Sequence, residues 1–148
     1  SSDLKAGQAI DRVGVMLSLN FPAGPELEKL SEKSNAVFKI KPSMKNTDCS
    51  LSGVENKCKK MLTENYEKSD IALFCIDSVI AALDGMYKAL MPKYGALPVV
   101  FSGGVTSNKR IKNYFHDKYN AVFAEPAFSA DNAAGTAVLS SIMYDRRK

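Results

Sequence analysis

Apolar residues in the N-terminal part of the chain recur at the spacing of amphipathic helices. Between Leu4 and about Leu19 they fall on one helical face, which predicts a first helix. Gly14 lies inside this stretch, and a glycine at such a position favours close packing against a neighbouring element. Residues 20–25 then break the helix, and Pro25 suits the first turn of a second one.

The central part of the chain predicts one short strand and two further helices. Residues 37–41 alternate between apolar and polar side chains, as in a half-buried strand, and residues 42–48 are typical of a loop. A helical stripe follows Ser52-Gly53. A long helix is predicted from the N-cap at Ser69-Asp70 to near Pro92, because its apolar residues keep helical spacing throughout.

The C-terminal part predicts strands that alternate with helices. Residues 97–101 form a continuous apolar run, as expected of a strand buried on both faces, and Ser102-Gly103-Gly104 leads from it into a helix starting at about Thr106. A further strand is predicted at residues 121–124, and a last helix from Asn132 to about Tyr144. This order predicts the α/β fold class, with a mixed sheet and helices packed on it.

The composition predicts a single folded domain that covers residues 1–148. With 45% hydrophobic residues the chain can build a sizeable core, and 24% charged residues without long runs of one sign argue against disorder. The longest apolar region, residues 71–90, is interrupted by Asp77, Asp84 and Lys88, so no membrane partner is expected. The start of the chain lacks the pattern of a signal peptide, and its missing Met suggests a piece of a longer chain.

Cysteine and charge patterns narrow the class of protein further. Three cysteines without a C-x-x-C spacing favour reduced thiols in a cytoplasmic protein over a disulfide framework or a structural zinc site. Positive charge is concentrated between Lys29 and Lys60, where eight lysines and three acidic residues give +5, against +4 for the whole chain. The ordinary interpretation of such a segment is a solvated face, and contact with tRNA or another polyanion is the alternative.

The first candidate site is the turn that follows the buried strand at Phe101. Gly103 and Gly104 allow the backbone to turn tightly and to approach a ligand, and the next helix directs its free N–H groups toward that ligand. Asn108 adds an amide suited to a ribose or a purine edge. A plain strand-to-helix turn explains the glycines equally well, and no Walker motif is present.

The second candidate site is Asp131, just before the last predicted helix. Its carboxylate suits either a helix cap or a cation held near phosphates, and capping is the commoner role. The sequence pattern alone assigns no function to Asp11 or Gly24: Asp11 is typical of a charge on a helix surface, and Gly24 is typical of a turn residue. His116 is the single histidine, so these 148 residues contain no two-histidine metal motif.

Five motifs, taken in order, are similar to those of one family. They resemble the C-terminal half of the TsaD/Gcp family, also called O-sialoglycoprotein endopeptidase or peptidase family M22, and the resemblance covers nearly the whole chain. Each motif is weak singly, but the shared order and similar spacing make chance an implausible explanation. The motifs are Ala6 to Arg12, Phe21 to Leu30, Ser50 to Val54, Ser102 to Asn108 and Ala130 to Ala134.

The resemblance implies the second lobe of an actin-like ATPase (ASKHA, ribonuclease-H-like) fold, incomplete here, within a larger two-lobe protein. It implies transfer of a threonylcarbamoyl group from threonylcarbamoyl-adenylate to the adenosine next to the tRNA anticodon. The implied ligands are ATP or threonylcarbamoyl-adenylate and a divalent metal, iron or zinc. The implied partners are tRNA, TsaB-like and TsaE-like proteins and the N-terminal lobe, and a homodimer through an exposed edge stays open. By motif, Asp131 matches a metal ligand, and the matching nucleotide-site residues are Asp11, Gly24, Gly103, Gly104 and Asn108.

The chain departs from the family pattern at several positions. The family's His-x-x-x-His metal pair and first phosphate loop belong to an N-terminal half, and His116 does not replace them. Gln8 stands where the family has Glu, Ala23 where it has Gly, and Arg12 where it has Lys. We therefore expect these residues to be inactive by themselves. A non-catalytic paralogue or scaffold lobe is the alternative, and the M22 protease interpretation has least support because no nucleophile–base pair is visible.

Overall fold

The computed structural model describes residues 5–41, 43–45, 48–94, 100–101 and 108–123. Helices dominate these ranges, and the strands in them have two or three residues each. The helices are α1 (Lys5–Met16), α2 (Gly24–Ser31), α3 (Ser52–Thr63), α4 (Lys68–Tyr94) and α5 (Lys109–Tyr119). The strands are β1 (Ser43–Lys45), β2 (Asp48–Ser50), β3 (Val100–Phe101) and β4 (Val122–Phe123).

The helices follow the predicted hydrophobic spacing. The first two predicted helices are confirmed by α1 and α2, and Pro25 occupies the first turn of α2. The helix after Ser52-Gly53 is confirmed by α3, and the long central helix by α4. The helix predicted from about Thr106 is α5, which begins slightly later. The predicted last helix, residues 132–144, lies outside the described residues.

The core is organised around α4, which packs against α1, α2, α3 and α5. Its first half is buried on nearly every side, and the side chains of Ile71, Ile76 and Val79 have no exposed surface. A helix that is apolar all round belongs in the centre of a bundle. Each large aliphatic side chain buried in this way stabilises the fold by about 1.5–3 kcal/mol.

The predicted fold class is wrong for the residues that the structure describes. They are predominantly helical, and their strands do not assemble into a mixed sheet with packed helices: β1 pairs with β2 in antiparallel orientation, and β3 pairs separately with β4 in parallel orientation. The physical reason is that the apolar helix faces are covered by other helices, chiefly by α4. Residues 97–99 of the predicted buried strand lie outside the described part.

Two local predictions in the central part are also wrong. Residues 37–41 belong to no helix or strand, although the exposure of their side chains alternates as in an extended segment: Phe38 packs against the core and Val37 is 89% exposed. The predicted loop at residues 42–48 contains β1 and the start of β2. Alternation fixes which way side chains face, whereas a strand also requires a backbone partner, and β1 finds its partner in β2.

The long helix α4 does not resemble a membrane span. It carries Asp77, Asp84 and Lys88 along its length. Within the described ranges, no helix combines the length and the apolar character that crossing a bilayer requires.

Candidate functional site

The site begins where α1 meets the start of α2. The Asp11 carboxylate accepts a hydrogen bond from the backbone N–H of Ala23, with an N–Oδ1 distance of 3.3 Å. Gly14, one turn later in α1, allows this approach, because a Cβ at Gly14 would lie 2.1 Å from the Cβ of Ala23. The close packing predicted for Gly14 is therefore confirmed, and it places Asp11 beside the residue that precedes Gly24.

Gly24 itself has no structural need to be glycine. A Cβ built on Gly24 meets no atom within 4 Å, and the residue is half-buried as the first member of α2. Ala would also favour the helix over Gly by up to about 1 kcal/mol. The open space next to Gly24 leaves its backbone accessible to a ligand.

Asn108 is the N-cap of α5. Its side-chain Oδ1 accepts a hydrogen bond from the N–H of Ile111 at 3.1 Å, and the residue is only 8% exposed. The capping bond occupies the amide oxygen. Recognition of a nucleotide by Asn108 would therefore fall to its amide nitrogen.

Glu28 connects the two parts of the site. Its Oε1 accepts a hydrogen bond from the backbone N–H of Lys109 at 3.1 Å, so α2 contacts the first turn of α5. A carboxylate at this end of a helix is stabilised by the helix dipole. Sequence reasoning missed Glu28, although its spacing of four residues from Gly24 places both on one face of α2.

These contacts link the surroundings of three of the predicted nucleotide-site residues. Asp11 reaches the residue before Gly24, and Glu28 of the same helix reaches the residue after Asn108. The other predicted site residues, Gly103, Gly104 and Asp131, lie outside the described residues.

The start of α5 is also fixed to α4 by a two-point ion pair. Arg110 Nε donates to Asp77 Oδ1 at 2.6 Å, and Arg110 Nη2 donates to Asp77 Oδ2 at 3.2 Å. Such bidentate pairs define orientation as well as distance. The backbone beside Asn108 is therefore held by both α2 and α4.

The other end of α5 is anchored through Asp84, a nearly buried carboxylate of α4. It accepts hydrogen bonds from the hydroxyl of Tyr119 and from the ammonium group of Lys118, and Lys88 forms a second ion pair at 3.1 Å. Burial acts to raise the pKa of Asp84, but these donors outweigh it and the pKa lies below its ordinary value. Burial and the neighbouring Asp84 carboxylate raise the pKa of Tyr119.

A groove of about 930 Å³ lies between α2, the extended segment at residues 38–41, α4 and α5. Its size is within the range of small-molecule sites. At the end nearest Asn108 it is lined by Glu28, Lys109 and Asn113. The groove therefore borders Lys109, the residue after Asn108, whereas Asp11, Gly24 and Asn108 are not among its lining residues.

The described residues do not by themselves fit a metal ion. No group of three or more His, Cys, Asp or Glu side chains comes together within them. His116 is exposed, and its ring nitrogen Nδ1 lies 3.4 Å from Oδ1 of Asp117. The predicted ligand Asp131 lies outside the described residues.

Comparisons with known proteins identify the family. The profile described as "TsaD: tRNA N6-adenosine threonylcarbamoyltransferase" matches residues 1–138. The chain belongs to the TsaD family, as the motifs predicted.

Several curated relatives carry the name tRNA N6-adenosine threonylcarbamoyltransferase. The chain is 30% identical to that of Kosmotoga olearia over 99% of its own length and 46% of the relative. It is 30% identical to that of Thermococcus kodakarensis over 96% of its length and 46% of the relative. For the Buchnera aphidicola protein the identity is 32%, over 97% of this chain and 47% of the relative. The chain thus spans about half the length of these relatives.

Proposed function

We propose that this chain is the C-terminal lobe of a TsaD-like tRNA adenosine threonylcarbamoyltransferase and that it holds the nucleotide part of the substrate. The observation that carries the proposal is the junction of α1, α2 and α5. There, two hydrogen bonds connect the neighbourhoods of Asp11, Gly24 and Asn108, three positions that match family motifs.

Each residue of the proposed site has a chemical role. Asp11 offers a carboxylate that accepts hydrogen bonds from ribose hydroxyls, and Gly24 leaves room for the ligand against the backbone. Asn108 contributes its amide nitrogen. By motif, Gly103 and Gly104 supply a backbone turn beside ATP or threonylcarbamoyl-adenylate.

The proposed metal contribution of the chain is one ligand, Asp131. A divalent metal, when bound, supplies Lewis-acid stabilisation of developing negative charge. One carboxylate is too few ligands for such an ion, so the other ligands would come from the family's His-x-x-x-His half. The proposed partners are tRNA, that N-terminal lobe, and TsaB-like and TsaE-like proteins, in the cytoplasm.

Gly24→Ala tests the nucleotide site without disturbing the fold. We expect the free energy of unfolding to stay constant or rise slightly, and the affinity for ATP to fall by about tenfold or more, because the new methyl group enters the ligand's space. The matched control is Gly53→Ala near the start of α3, where a Cβ also meets nothing within 4 Å. Equal ATP affinity for both variants, measured by calorimetry, would contradict the proposed site.

Asp131→Ala tests the metal contribution in the intact protein. A ligand role predicts loss of bound metal, measured by elemental analysis. A helix cap predicts instead a loss of about 1 kcal/mol in stability with unchanged metal content.

A non-catalytic paralogue is the second candidate function, and Gln8 is the observation that favours it. Gln8 is exposed on α1, one turn before Arg12, where the family pattern has a glutamate. Replacing an acid by an amide removes a charge from the face that carries Asp11. If the intact protein forms no modified adenosine in tRNA and Gln8→Glu restores the product, the paralogue interpretation is favoured.

A further inference from the structure

A second, smaller groove lies along residues 39–41 of the extended segment. It has a volume of about 470 Å³ and is lined by Lys39, Lys41, Lys57, Ile40 and Phe74. We call these five residues the lysine groove. They come from the extended segment, α3 and α4, so the groove exists only in the folded chain.

The alternating sequence of the extended segment builds one wall of this groove. Successive side chains of an extended chain point to opposite sides, so Lys39 and Lys41 share one side while Phe38 points into the core. The Phe38 ring meets the edge of Phe74, with ring centroids 5.3 Å apart and planes at 81°. This aromatic contact fixes the segment against α4 and holds the two lysines beside Lys57.

The lysine groove carries uncompensated positive charge. Within the described part of the chain, none of its three lysines forms an ion pair, and all three are exposed. Glu55 of α3 is engaged by Arg12 at 3.3 Å. The larger groove, which Lys41 also lines, is different, because its lining includes carboxylates such as Asp77 and Asp84.

We propose that the lysine groove binds the sugar–phosphate backbone of tRNA. Three ammonium groups that line one concave surface suit a run of successive phosphates, and each contact releases condensed counterions. Ile40 and the partly exposed ring of Phe74 form an apolar surface between them, against which an unpaired base packs. An acidic peptide would use the ammonium groups but leave this apolar surface without a matching partner.

The identity of the polyanion rests on the proposed function, whereas the groove itself does not. The extended segment lines both grooves, since Ile40 and Lys41 contribute to each of them. A tRNA held in the lysine groove would therefore also border the larger groove. This position suits a contact that orients the tRNA and takes no part in the group transfer.

The test compares two triple variants of the intact protein with the same change in charge. The groove variant is Lys39→Gln, Lys41→Gln and Lys57→Gln. The control is Lys33→Gln, Lys59→Gln and Lys60→Gln, which replaces three exposed lysines that do not line the groove. The probe is an unmodified transcript of a tRNA with adenosine next to the anticodon, and affinity is measured by fluorescence anisotropy over a salt series.

We expect the groove variant to bind tRNA about tenfold more weakly at low salt, with a salt slope shallower by about 2 to 3, and the control to stay close to the parent. Equal losses in both variants, or unchanged binding in the groove variant, would overturn the proposal. Loss of binding to a partner protein with unchanged tRNA affinity would also overturn it.

The same variants separate this proposal from the proposed function. ATP affinity should be unchanged in the groove variant, because the variant leaves Asp11, Gly24 and Asn108, the proposed nucleotide contacts, unaltered. If Gly24→Ala leaves ATP affinity unchanged while the groove variant binds tRNA more weakly, the proposed nucleotide site is wrong and the proposal for the lysine groove is supported. If Gly24→Ala lowers ATP affinity while the groove variant binds tRNA normally, the nucleotide site is supported and the proposal for the lysine groove is wrong.

Discussion

At the residue scale, the contact between Gly14 and Ala23 shows how one departure from the family pattern is accommodated. By motif, Ala23 stands at a position where glycine is expected, and its methyl group fills the space above Gly14. The two helices can approach because one of the two positions lacks a side chain. The position of Asp11 relative to Gly24 depends on this arrangement.

Gly14→Ala is therefore expected to destabilise the protein by about 1–3 kcal/mol, as overpacking does in a close-packed interior. The measurement is urea denaturation followed by circular dichroism. Adding Ala23→Gly should recover most of the loss, because the atom then nearest to the new Cβ is the Cα of residue 23, at 3.5 Å. A double variant as unstable as Gly14→Ala would show that the clash lies elsewhere.

Asn108 combines a structural role with a proposed binding role, and one substitution separates them. Asn108→Asp keeps the acceptor that caps α5 but removes the amide N–H₂ group and adds negative charge near the proposed phosphates. We expect unchanged stability and an ATP affinity lower by about tenfold or more.

Asn108→Ala provides the comparison, with a loss of about 1 kcal/mol from the missing cap. Thermal unfolding and calorimetric ATP titration measure the two effects separately. Full ATP affinity in Asn108→Asp would limit this residue to capping.

At the element scale, α5 is held to α4 at both ends, and Asp84 is the buried acceptor at its C-terminal end. The folded-state pKa of Asp84 lies below the ordinary value of 3.8, so the unfolded chain binds its proton more readily. The stability it contributes is present above about pH 4 and is lost as the pH falls through the folded-state pKa.

We therefore expect Asp84→Asn to lower the free energy of unfolding at neutral pH by about 1–3 kcal/mol. The difference between the parent and Asp84→Asn should shrink on acidification toward pH 3. Urea denaturation across this pH range measures it. Asp117→Asn is the control, since the Asp117 side chain is 82% exposed and contacts only the neighbouring His116 among the described residues. If the difference in the free energy of unfolding does not vary with pH, the partners of Asp84 do not stabilise its ionised form.

The elements also show how far the sequence predicts the fold. Helices such as α1 and α4 could be predicted because their apolar spacing is local and repeats over several turns. The strand at residues 37–41 could not be judged from its alternation, because pairing depends on a partner elsewhere in the chain. The same limit explains why the mixed sheet was wrong and why the three-residue strands β1 and β2 were missed.

The candidate site shows a similar division. Asp11, Gly24 and Asn108 were proposed from motifs, and two hydrogen bonds connect the residues around them. Glu28 was missed, because its bond to Lys109 joins residues 81 positions apart and leaves no local pattern.

At the scale of the whole molecule, this chain supplies only part of the residues that the proposed reaction requires. The proposed nucleotide residues and the proposed metal ligand Asp131 belong to these 148 residues, whereas the single histidine, His116, lies exposed on α5. The chain also spans about half the length of its relatives. The remaining metal ligands and the first phosphate loop would have to come from a second lobe.

We therefore expect the 148 residues by themselves to form no threonylcarbamoyl-adenosine in tRNA, because a metal ion and the substrate phosphates would each have only part of their ligands. Joining them to a family N-terminal half that carries the His-x-x-x-His pattern should produce the modified nucleoside, detected by mass spectrometry of digested tRNA. The control joins the same half with both histidines replaced by alanine. Product formation by the 148 residues alone would contradict the two-lobe arrangement, and failure of the joined protein despite ATP binding would favour the non-catalytic paralogue.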